Sequence, residues 1–298
     1  MNSSSLFMRL WHEPQFQKMI LAVASLIPDK RYVKFLFKYK LGYSINLTNP
    51  RTFNEKLNWL KLYNRNPLYT KMVDKFEVKK IVADRIGEQY VVKNIGKWES
   101  FNEIDFEKLP NRFVLKCTHD SSGAIVCRDK SNFDFAAAKR KVCNSMKLNY
   151  FYAYREWPYK NVKPAIIVDE FLDDHSEKEL KDYKFWCFNG EPKYMYCTVK
   201  AREIYENFYD MDFNLVDINH GFDRRTPEFE KPDAFEEMKG LAAKLSEGIP
   251  FLRVDFFYVD GKVYFGEFTF FDWGGIRPFS TYEQDLELEK INMNTQKD

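Results

Sequence analysis

The sequence predicts an α+β protein with a helical amino-terminal part and a mixed body of helices and strands. Three observations support this fold class. Apolar residues recur at helical spacing from position 6 to about position 43. Short strand-like runs bounded by turn residues begin near Tyr90. Two turns, Asn189-Gly190 and Asp260-Gly261, each separate apolar runs in the manner of a β-hairpin.

The composition is that of a folded soluble protein. The chain has 298 residues, of which 45% are hydrophobic and 30% charged. A formal net charge of +2 gives no argument for a nucleic-acid partner. The five cysteines are odd in number and lack CxxC spacing, so we expect a reduced, cytoplasmic compartment and no structural zinc. Met1–Leu10 shows no signal-peptide pattern, and the longest apolar run, Met19–Ile27, is too short to cross a bilayer.

The amino-terminal helical stretch also carries many basic residues. A basic amphipathic segment of this kind can lie on anionic lipid, which predicts peripheral association with a membrane. A capping pair of helices with a solvated face is the more common use of such a charge run. Both interpretations stay open from the sequence. The basic positions are Lys30, Arg31, Lys34, Lys38 and Lys40.

Two further helices are expected before residue 90. The first begins at Thr52, because Thr52 is a suitable N-cap and Glu55 follows three residues later, as a capping box requires. The second is expected to run from about Leu68 to Ile86 and to end at Gly87, a residue that commonly terminates helices.

The body contains no internal repeats. We expect helices over residues 133–148 and 233–247. Strands are expected over residues 90–92, 112–117, 124–128, 165–172, 183–188 and 192–198, and on both sides of Asp260-Gly261.

The last hairpin, RVDFFYVDGKVYFGEFTF from Arg253 to Phe270, is the most informative segment. Its strands are apolar but carry Asp255 and Glu267, and burying carboxylates requires a compensating cation. Hard oxygen ligands of this type suit Mg²⁺ beside nucleotide phosphates. An ordinary amphipathic hairpin with two solvated carboxylates is an equally good interpretation of this segment alone.

Strand geometry adds a condition to the metal hypothesis. Arg253 and Asp255 share one face of their strand, since side chains alternate. A strict two-residue turn at Asp260-Gly261 would pair Asp255 with Gly266 and place Glu267 on the other face. A shared metal therefore predicts a connection of odd length, such as a three-residue loop with Gly261 in a left-handed bulge.

A strand ending in Lys116 leads into the polar loop Thr118–Gly123 and then into another strand. A Walker P-loop is excluded, because its phosphate cradle leads into a helix. Small residues in a tight loop can still turn their amide groups toward phosphate oxygens, with Lys116 as a fixed positive charge. An ordinary polar hairpin loop is the simpler interpretation of this segment by itself.

The run Ile166–Leu172 is typical of a buried strand that ends in two acids, Asp169 and Glu170. At a crossing between two lobes, such a strand would offer backbone groups to an adenine. Asp182 and Lys184 share a strand face farther along and could reach a ribose and a phosphate or carboxylate. A surface ion pair is the alternative for these two residues.

In order along the chain, these segments resemble the ATP-grasp superfamily. The resemblance is carried by Asp74-Lys75, the VLK strand with its polar loop, IIVDEFL, DYKFWCFNG and the final hairpin. The segments TFNEKLNWLKLY and DKFEVKKIV are similar to those of the TupA-like branch, which is associated with teichuronopeptide and surface-polysaccharide (capsule) assembly. The resemblance covers roughly residues 45–280.

This resemblance implies two α+β lobes that sandwich ATP, with a helical amino-terminal extension. The implied extension is residues 1–50, and a pre-grasp region follows at 51–110. The ATP-grasp body spans 111–298, with the ATP-binding lobe at about 111–185 and the metal-binding lobe at about 186–285.

The resemblance also implies which residues bind the nucleotide. Two lysines would contact the phosphates, a small polar loop would cover them, and the chain after the buried strand would line the adenine and ribose. In that order the residues are Lys75 and Lys116; Ser121, Ser122 and Gly123; and Asp169, Glu170, Leu172 and Asp182.

The implied chemical residues lie in the last hairpin and on the strand of Lys184. Asp255 and Glu267 would hold Mg²⁺, Arg253 would face the acyl phosphate, and Lys184 would act beside it. Many ATP-grasp enzymes place Asn two residues after the metal glutamate, where this chain has Thr269, so a second metal is in doubt.

The activity implied by the resemblance is ATP-dependent amide formation between a carboxylate and an amine, through an acyl phosphate, with an amino acid joined to a uronic acid. A glycosyltransferase that binds a nucleotide sugar through Asp210-Met211-Asp212 is the first alternative. A non-catalytic ATP-grasp-like binding protein is the second.

Overall fold

A computed structural model describes residues 26–121, 123–173, 180–200, 204–226 and 228–288. Its helices are α1 (Asp29–Leu41), α2 (Phe53–Tyr63), α3 (Leu68–Val73), α4 (Glu77–Ile86), α5 (Phe135–Ser145), α6 (Phe151–Tyr154), α7 (Phe235–Ser246) and α8 (Tyr282–Glu287). Its strands are β1 (Asn94–Trp98), β2 (Phe113–Cys117), β3 (Ile125–Cys127), β4 (Ile166–Glu170), β5 (Asp182–Phe188), β6 (Glu191–Lys200), β7 (Ile204–Tyr209), β8 (Phe251–Val259) and β9 (Lys262–Thr269).

The described residues form two compact units, each assembled from segments that are distant in sequence. The first comprises Pro67–Asp74, Asn94–Phe171 and the described residues before position 37. The second comprises Phe37–Asn66, Lys75–Lys93 and the described residues from Leu172 onward. The domain boundaries suggested by the sequence near residues 50, 110 and 185 stay a prediction.

The first unit contains a four-stranded antiparallel sheet in the order β1-β4-β2-β3. Its core joins the inward residues of β2 and β4 to the buried face of α5, for example Leu115, Val168 and Val142. Residues Ile166 to Asp169 are buried and Glu170 is exposed, which confirms the predicted buried strand ending in acids.

The second unit contains a five-stranded antiparallel sheet in the order β7-β6-β5-β8-β9. Helix α7 covers one face, where the Phe185 and Phe235 ring centroids lie 5.8 Å apart. On the other face, Trp186 stacks on Phe53 of α2 with centroids 4.7 Å apart. Lys184, Arg253 and Asp255 lie on this second face, because side chains alternate along β5 and β8.

Most predicted elements are present, including the capping box. The Thr52 side chain accepts a hydrogen bond from the Glu55 amide, and the Glu55 side chain accepts one from the Thr52 amide. Gly87 ends α4 with a positive φ of 116°. The helical stretch predicted from position 6 to about position 43 falls partly outside the described residues, since these begin at position 26. In the described part, α1 covers Asp29–Leu41. Most of the apolar run at 19–27 also lies outside the described residues. No helix in the described ranges is long and apolar enough to cross a membrane.

Two element predictions are wrong. The helix predicted from Leu68 to Ile86 is interrupted at Asp74, whose extended ψ of 115° ends α3 before α4 begins. The two halves pack in different cores, since Tyr69 stacks on Trp157 in the first unit and Val82 is buried in the second. The strand predicted at residues 90–92 is displaced: the segment that pairs with β4 is Asn94–Trp98.

Candidate active site

Asp255 and Glu267 share one face of the β8–β9 hairpin because of a bulge within the ladder. Phe256 pairs with Phe265 but Val254 pairs with Phe268, so one residue of β8 faces two residues of β9. The extra residue shifts the alternation of β9 by one position. The Nη2 atom of Arg253 donates to Glu267 Oε1 at 2.9 Å, which confirms the common face.

The predicted odd-length turn is wrong. Val259 pairs with Lys262, so the loop has two residues, Asp260 and Gly261, with φ angles of 50° and 73°. The change of alternation occurs instead at Gly266, where a Cβ atom would lie 3.1 Å from the carbonyl oxygen of Asp255. A glycine inside a strand commonly marks a bulge, so the sequence contained a signal for this position.

Arg253 organises the acidic side chains of this face. Its Nε and Nη2 atoms donate to the two carboxylate oxygens of Asp255, both at 2.7 Å. Nη1 donates to Asp272 at 2.5 Å and to the Tyr196 hydroxyl at 3.2 Å, while Nη2 also reaches Glu267. These contacts use all five N–H donors of the guanidinium. In this conformation Arg253 therefore positions carboxylates and has no donor left for a substrate.

Asp272 is a member of the cluster that the sequence did not reveal. It follows β9 in a short turn, is buried, and accepts hydrogen bonds from Trp186 Nε1 at 2.9 Å and from the Tyr196 hydroxyl at 3.2 Å. No local pattern distinguishes this aspartate from one in a solvated turn. Its role is visible only after the sheet brings Trp186, Tyr196 and Arg253 together.

Lys184 lies between two carboxylates on the same face. Its Nζ atom is 2.7 Å from Asp182 and 3.3 Å from Asp255, the residue that it opposes on β8. Burial by itself would lower the pKa of Lys184, but Asp255 and Asp182 raise it above the ordinary value. Burial would raise the pKa of Asp255, and Arg253 and Lys184 hold it below the ordinary value. Both groups are therefore charged at neutral pH.

The six charged groups carry an excess of negative charge. Arg253 and Lys184 contribute +2, and the four carboxylates contribute −4, which leaves a formal −2. The carboxylates are Asp182, Asp255, Glu267 and Asp272.

This donor set fits a divalent cation such as Mg²⁺, which prefers carboxylate oxygens and would neutralise the excess. The Glu267 side chain is 41% exposed and so accessible to a ligand, whereas Asp255 is buried. Thr269 lies opposite Arg253 on β9. Within the described ranges, no three His, Cys, Asp or Glu side chains converge as a complete metal site, so water or phosphate oxygens would complete the coordination.

In the first unit, Lys116 and Asp169 form an ion pair. Lys116 Nζ lies 3.1 Å from Asp169 Oδ2, and Asn94 Nδ2 donates to Asp169 Oδ1 at 3.1 Å. Asp169 is buried, while Lys116 remains partly exposed at the sheet. This aspartate orients the lysine, and Glu170, next along β4, is the exposed acid.

The polar loop after β2 is anchored by its buried first half. Thr118 Oγ1 donates to the carbonyl oxygen of Lys163 at 3.1 Å, and His119 Nε2 donates to that of Ser145 at 3.1 Å. The Ser145 hydroxyl donates to Asp120 at 2.6 Å. A Cβ atom at Gly123 would lie 1.9 Å from an Asp120 carboxylate oxygen, so any larger residue there would displace the Asp120 side chain.

Four predicted site residues remain to be placed. Lys75 and Leu172 are half-buried residues of the second unit, and Ser121 is half-buried in the first. Ser122 lies outside the described residues. Whether these residues bind a nucleotide stays a prediction.

The Asp210-Met211-Asp212 triplet has a turn-forming role. Asp210 Oδ1 accepts from the amides of Asp212 at 2.9 Å and Asn214 at 2.8 Å, and Oδ2 accepts from Asn214 Nδ2 at 3.0 Å. These are the contacts of an Asx-type turn after β7. They account for Asp210 without a metal.

Two antiparallel sheets with flanking helices confirm the predicted α+β class. Residues 55–291 match the sequence profile of the family described as TupA-like ATPgrasp. The chain therefore belongs to the TupA-like ATP-grasp family. No curated protein matches the chain.

Several solved ATP-grasp structures are similar to this one. D-alanine-D-alanine ligase from Helicobacter pylori is 15% identical, with a TM-score of 0.43, 82% of this chain covered and 69% of that chain. An ADP complex of N5-carboxyaminoimidazole ribonucleotide synthetase is 17% identical, with a TM-score of 0.43 and coverage of 80% and 57%. The ligase PsnB with minimal precursor, Mg and ADP is 13% identical, with a TM-score of 0.40 and coverage of 72% and 57%. At these values the likeness says nothing about substrates.

Proposed function

We propose that the protein is an ATP-dependent carboxylate–amine ligase that forms an amide through an acyl phosphate. The observation that carries the proposal is the cluster on β5, β8 and β9, where two fixed cations organise four carboxylates on one sheet face. Membership of the TupA-like ATP-grasp family supports the use of ATP. Phosphoryl transfer of this kind requires positioning and electrostatics and no covalent protein nucleophile.

The proposed roles follow from burial and contacts. Glu267 is the accessible metal ligand, Asp255 the buried one, and Thr269 the adjoining position. A bound Mg²⁺ would neutralise charge on the ATP phosphates. Arg253 bridges Asp255, Glu267 and Asp272, and it could meet an acyl phosphate only after releasing one of them. Lys184 is held by Asp182 and Asp255 beside this cluster.

The nucleotide-binding residues are proposed on the family resemblance. Lys75 and Lys116 would contact phosphates, with Ser121, Ser122 and Gly123 covering them. Asp169 supports this assignment indirectly, because it orients Lys116 at 3.1 Å. Adenine and ribose contacts are assigned on the same ground to Asp169, Glu170, Leu172 and Asp182.

We propose a uronic acid and an amino acid as the substrates, in cytoplasmic steps of surface-polysaccharide assembly. The resemblance to the TupA-like branch, which is associated with teichuronopeptide assembly, supports this choice. Helix α1 exposes Phe35 and Tyr39 among its basic residues, a combination that suits the surface of an anionic membrane. Peripheral contact with anionic lipid therefore stays part of the proposal.

Binding of Mg-ATP tests the proposal against its alternatives. We would compare thermal shifts and calorimetric titrations for Mg-ATP with those for UDP-sugars plus Mn²⁺, on wild type, Glu267→Gln and Glu191→Gln. Glu191 is an exposed partner of Lys193 and provides a matched control. Stabilisation by Mg-ATP that weakens only in Glu267→Gln supports the ligase. A response to UDP-sugar alone supports glycosyl transfer.

Acyl phosphate formation provides a second test. Hydroxylamine intercepts an acyl phosphate as a stable hydroxamate, so ATP, Mg²⁺ and a panel of uronic and amino acids should give hydroxamate with the correct carboxylate. Mg-ATP binding with no hydroxamate and no phosphate release from any pair would support a non-catalytic relative instead.

A further inference from the structure

A group of aromatic and basic side chains adjoins the acidic cluster through the turn that follows β9. Asp272 anchors Arg253, and the next residue, Trp273, is 41% exposed with positive backbone angles of φ 48° and ψ 30°. A bulky residue in this conformation is uncommon and often marks a functional site. The Trp273 ring centroid lies 5.3 Å from that of Phe222.

Arg277 lies against both of these rings. Its guanidinium carbon is 4.1 Å from the Phe222 ring centroid and 5.1 Å from that of Trp273. The Nε atom donates to the carbonyl oxygen of His220 at 2.7 Å, which fixes the plane of the group. Within the described ranges, Nη1 and Nη2 have no hydrogen-bond acceptor, so four N–H donors of a half-buried, oriented guanidinium are available.

The surroundings of Arg277 favour an anion. Burial lowers the pKa of its guanidinium, against a smaller opposing effect of the nearby Glu206, but Glu206 forms no hydrogen bond with Arg277. The carboxylate of Glu206 is instead 3.2 Å from His220 Nδ1. A partly desolvated cation without a hydrogen-bonded counter-ion gains free energy when an anion binds.

We propose that Arg277, Trp273 and Phe222 form a subsite for a carboxylate carried on a sugar-like ring. The free edge of the guanidinium offers two parallel donors, the geometry that a carboxylate accepts in a bidentate manner. The exposed indole provides an apolar face for the C–H groups of the ring that bears the carboxylate. This subsite rests on the proposed ligase function and names the residues that select its acidic substrate.

Binding of simple probes to the full chain tests the subsite without requiring turnover. Calorimetry and ligand-observed NMR would compare glucuronate, glucose, acetate and inorganic phosphate, with and without Mg-ATP. Glucose has the same ring without the carboxylate, and acetate has the carboxylate without the ring. We expect glucuronate to bind about tenfold or more tightly than either.

Three variants separate the contributions. Arg277→Gln should weaken glucuronate binding about tenfold or more, as expected for a lost charge-assisted pair. Trp273→Asn removes the ring with a residue that tolerates positive φ, and should weaken glucuronate but not acetate. Arg224→Gln removes an arginine two residues after Phe222 that is already paired with Asp217, and should change nothing.

Several outcomes would overturn the subsite. Equal binding of glucose and glucuronate would do so, as would a loss caused by Arg224→Gln but not by Arg277→Gln. Phosphate binding as tight as glucuronate binding, and indifferent to Trp273→Asn, would indicate a plain anion site. If Mg-ATP still yields hydroxamate from other carboxylates while glucuronate fails to bind, the ligase function stands and only the subsite is wrong.

Discussion

Replacing Asp272 with asparagine should destabilise the second unit by about 3–5 kcal/mol. The aspartate is buried and accepts from Arg253 at 2.5 Å, from Trp186 at 2.9 Å and from Tyr196 at 3.2 Å. Loss of the charge-assisted bond costs about 1.5–3 kcal/mol, and the new amide N–H groups face donors at a further cost of about 1–3 kcal/mol. The sum agrees with the penalty for removing one partner of a buried ion pair.

Urea denaturation followed by tryptophan fluorescence and near-ultraviolet circular dichroism measures this cost, and Trp186 is a local reporter. The matched control is Asp84→Asn in the same unit, where an exposed aspartate pairs with Lys80 at 2.7 Å. The control should cost less than about 0.5 kcal/mol. A cost for Asp272→Asn below about 1 kcal/mol would refute the view that this residue anchors Arg253.

Three further predictions concern pH, metal binding and the amino-terminal cap. The pKa of Asp255 lies below its ordinary value, so the stability that this residue contributes is complete above about pH 4 and is lost as pH falls through the folded-state pKa. In a plot of unfolding free energy against pH, Asp255→Asn should therefore reduce the slope on the acid side. An unchanged slope contradicts this. Thr269→Asn supplies a better oxygen ligand and should lower the Mg²⁺ concentration required for ATP turnover several-fold; an unchanged titration argues against position 269 as a ligand. Thr52→Ala removes the hydroxyl that accepts a hydrogen bond from the Glu55 amide and should cost about 1 kcal/mol in urea denaturation, whereas no loss would show that the capping box is dispensable.

Local chemistry allowed much of this fold to be predicted. The Thr52 capping box, the Gly87 helix end and the hairpin turn at Asn189-Gly190 depend on residues close in sequence, and each is present. The common face of Asp255 and Glu267 was expected only as a condition of a shared metal, because strict alternation with a two-residue turn places them on opposite faces. The change of alternation was predicted in the turn, but it occurs at Gly266. Turn residues are easy to recognise in a sequence, whereas a single glycine inside a strand is not.

The unpredicted features depend on contacts between distant segments. The helical pattern runs through Asp74 without a break, and the interruption exists because the two halves pack in separate cores. Asp272 became recognisable only when folding placed it against Trp186 and Arg253. Likewise, the resemblance placed Arg253 opposite an acyl phosphate, and only the folded sheet shows that all its N–H donors are used within the cluster.

The polar residues of α2 hold the turn that carries Asp272 and Trp273. Asn58 Nδ2 donates to the carbonyl oxygen of Gly275 at 2.6 Å, and Lys61 Nζ donates to that of Gly274 at 2.5 Å. Both side chains are almost completely buried, which is costly for an amide and an ammonium unless each has partners. Three consecutive residues of the turn have positive φ, a conformation that persists only when its surroundings enforce it.

This contact explains why the α2 segment TFNEKLNWLK contains so many polar residues although nearly the whole helix is buried. A purely apolar helix would cover the same sheet face at lower desolvation cost, but it would leave the carbonyl groups of the turn without donors. The Asn58 and Lys61 side chains satisfy those carbonyls and so fix the backbone next to Asp272. The acidic cluster and the adjoining Trp273 thus receive their positions from a helix that contributes no residue of its own to either.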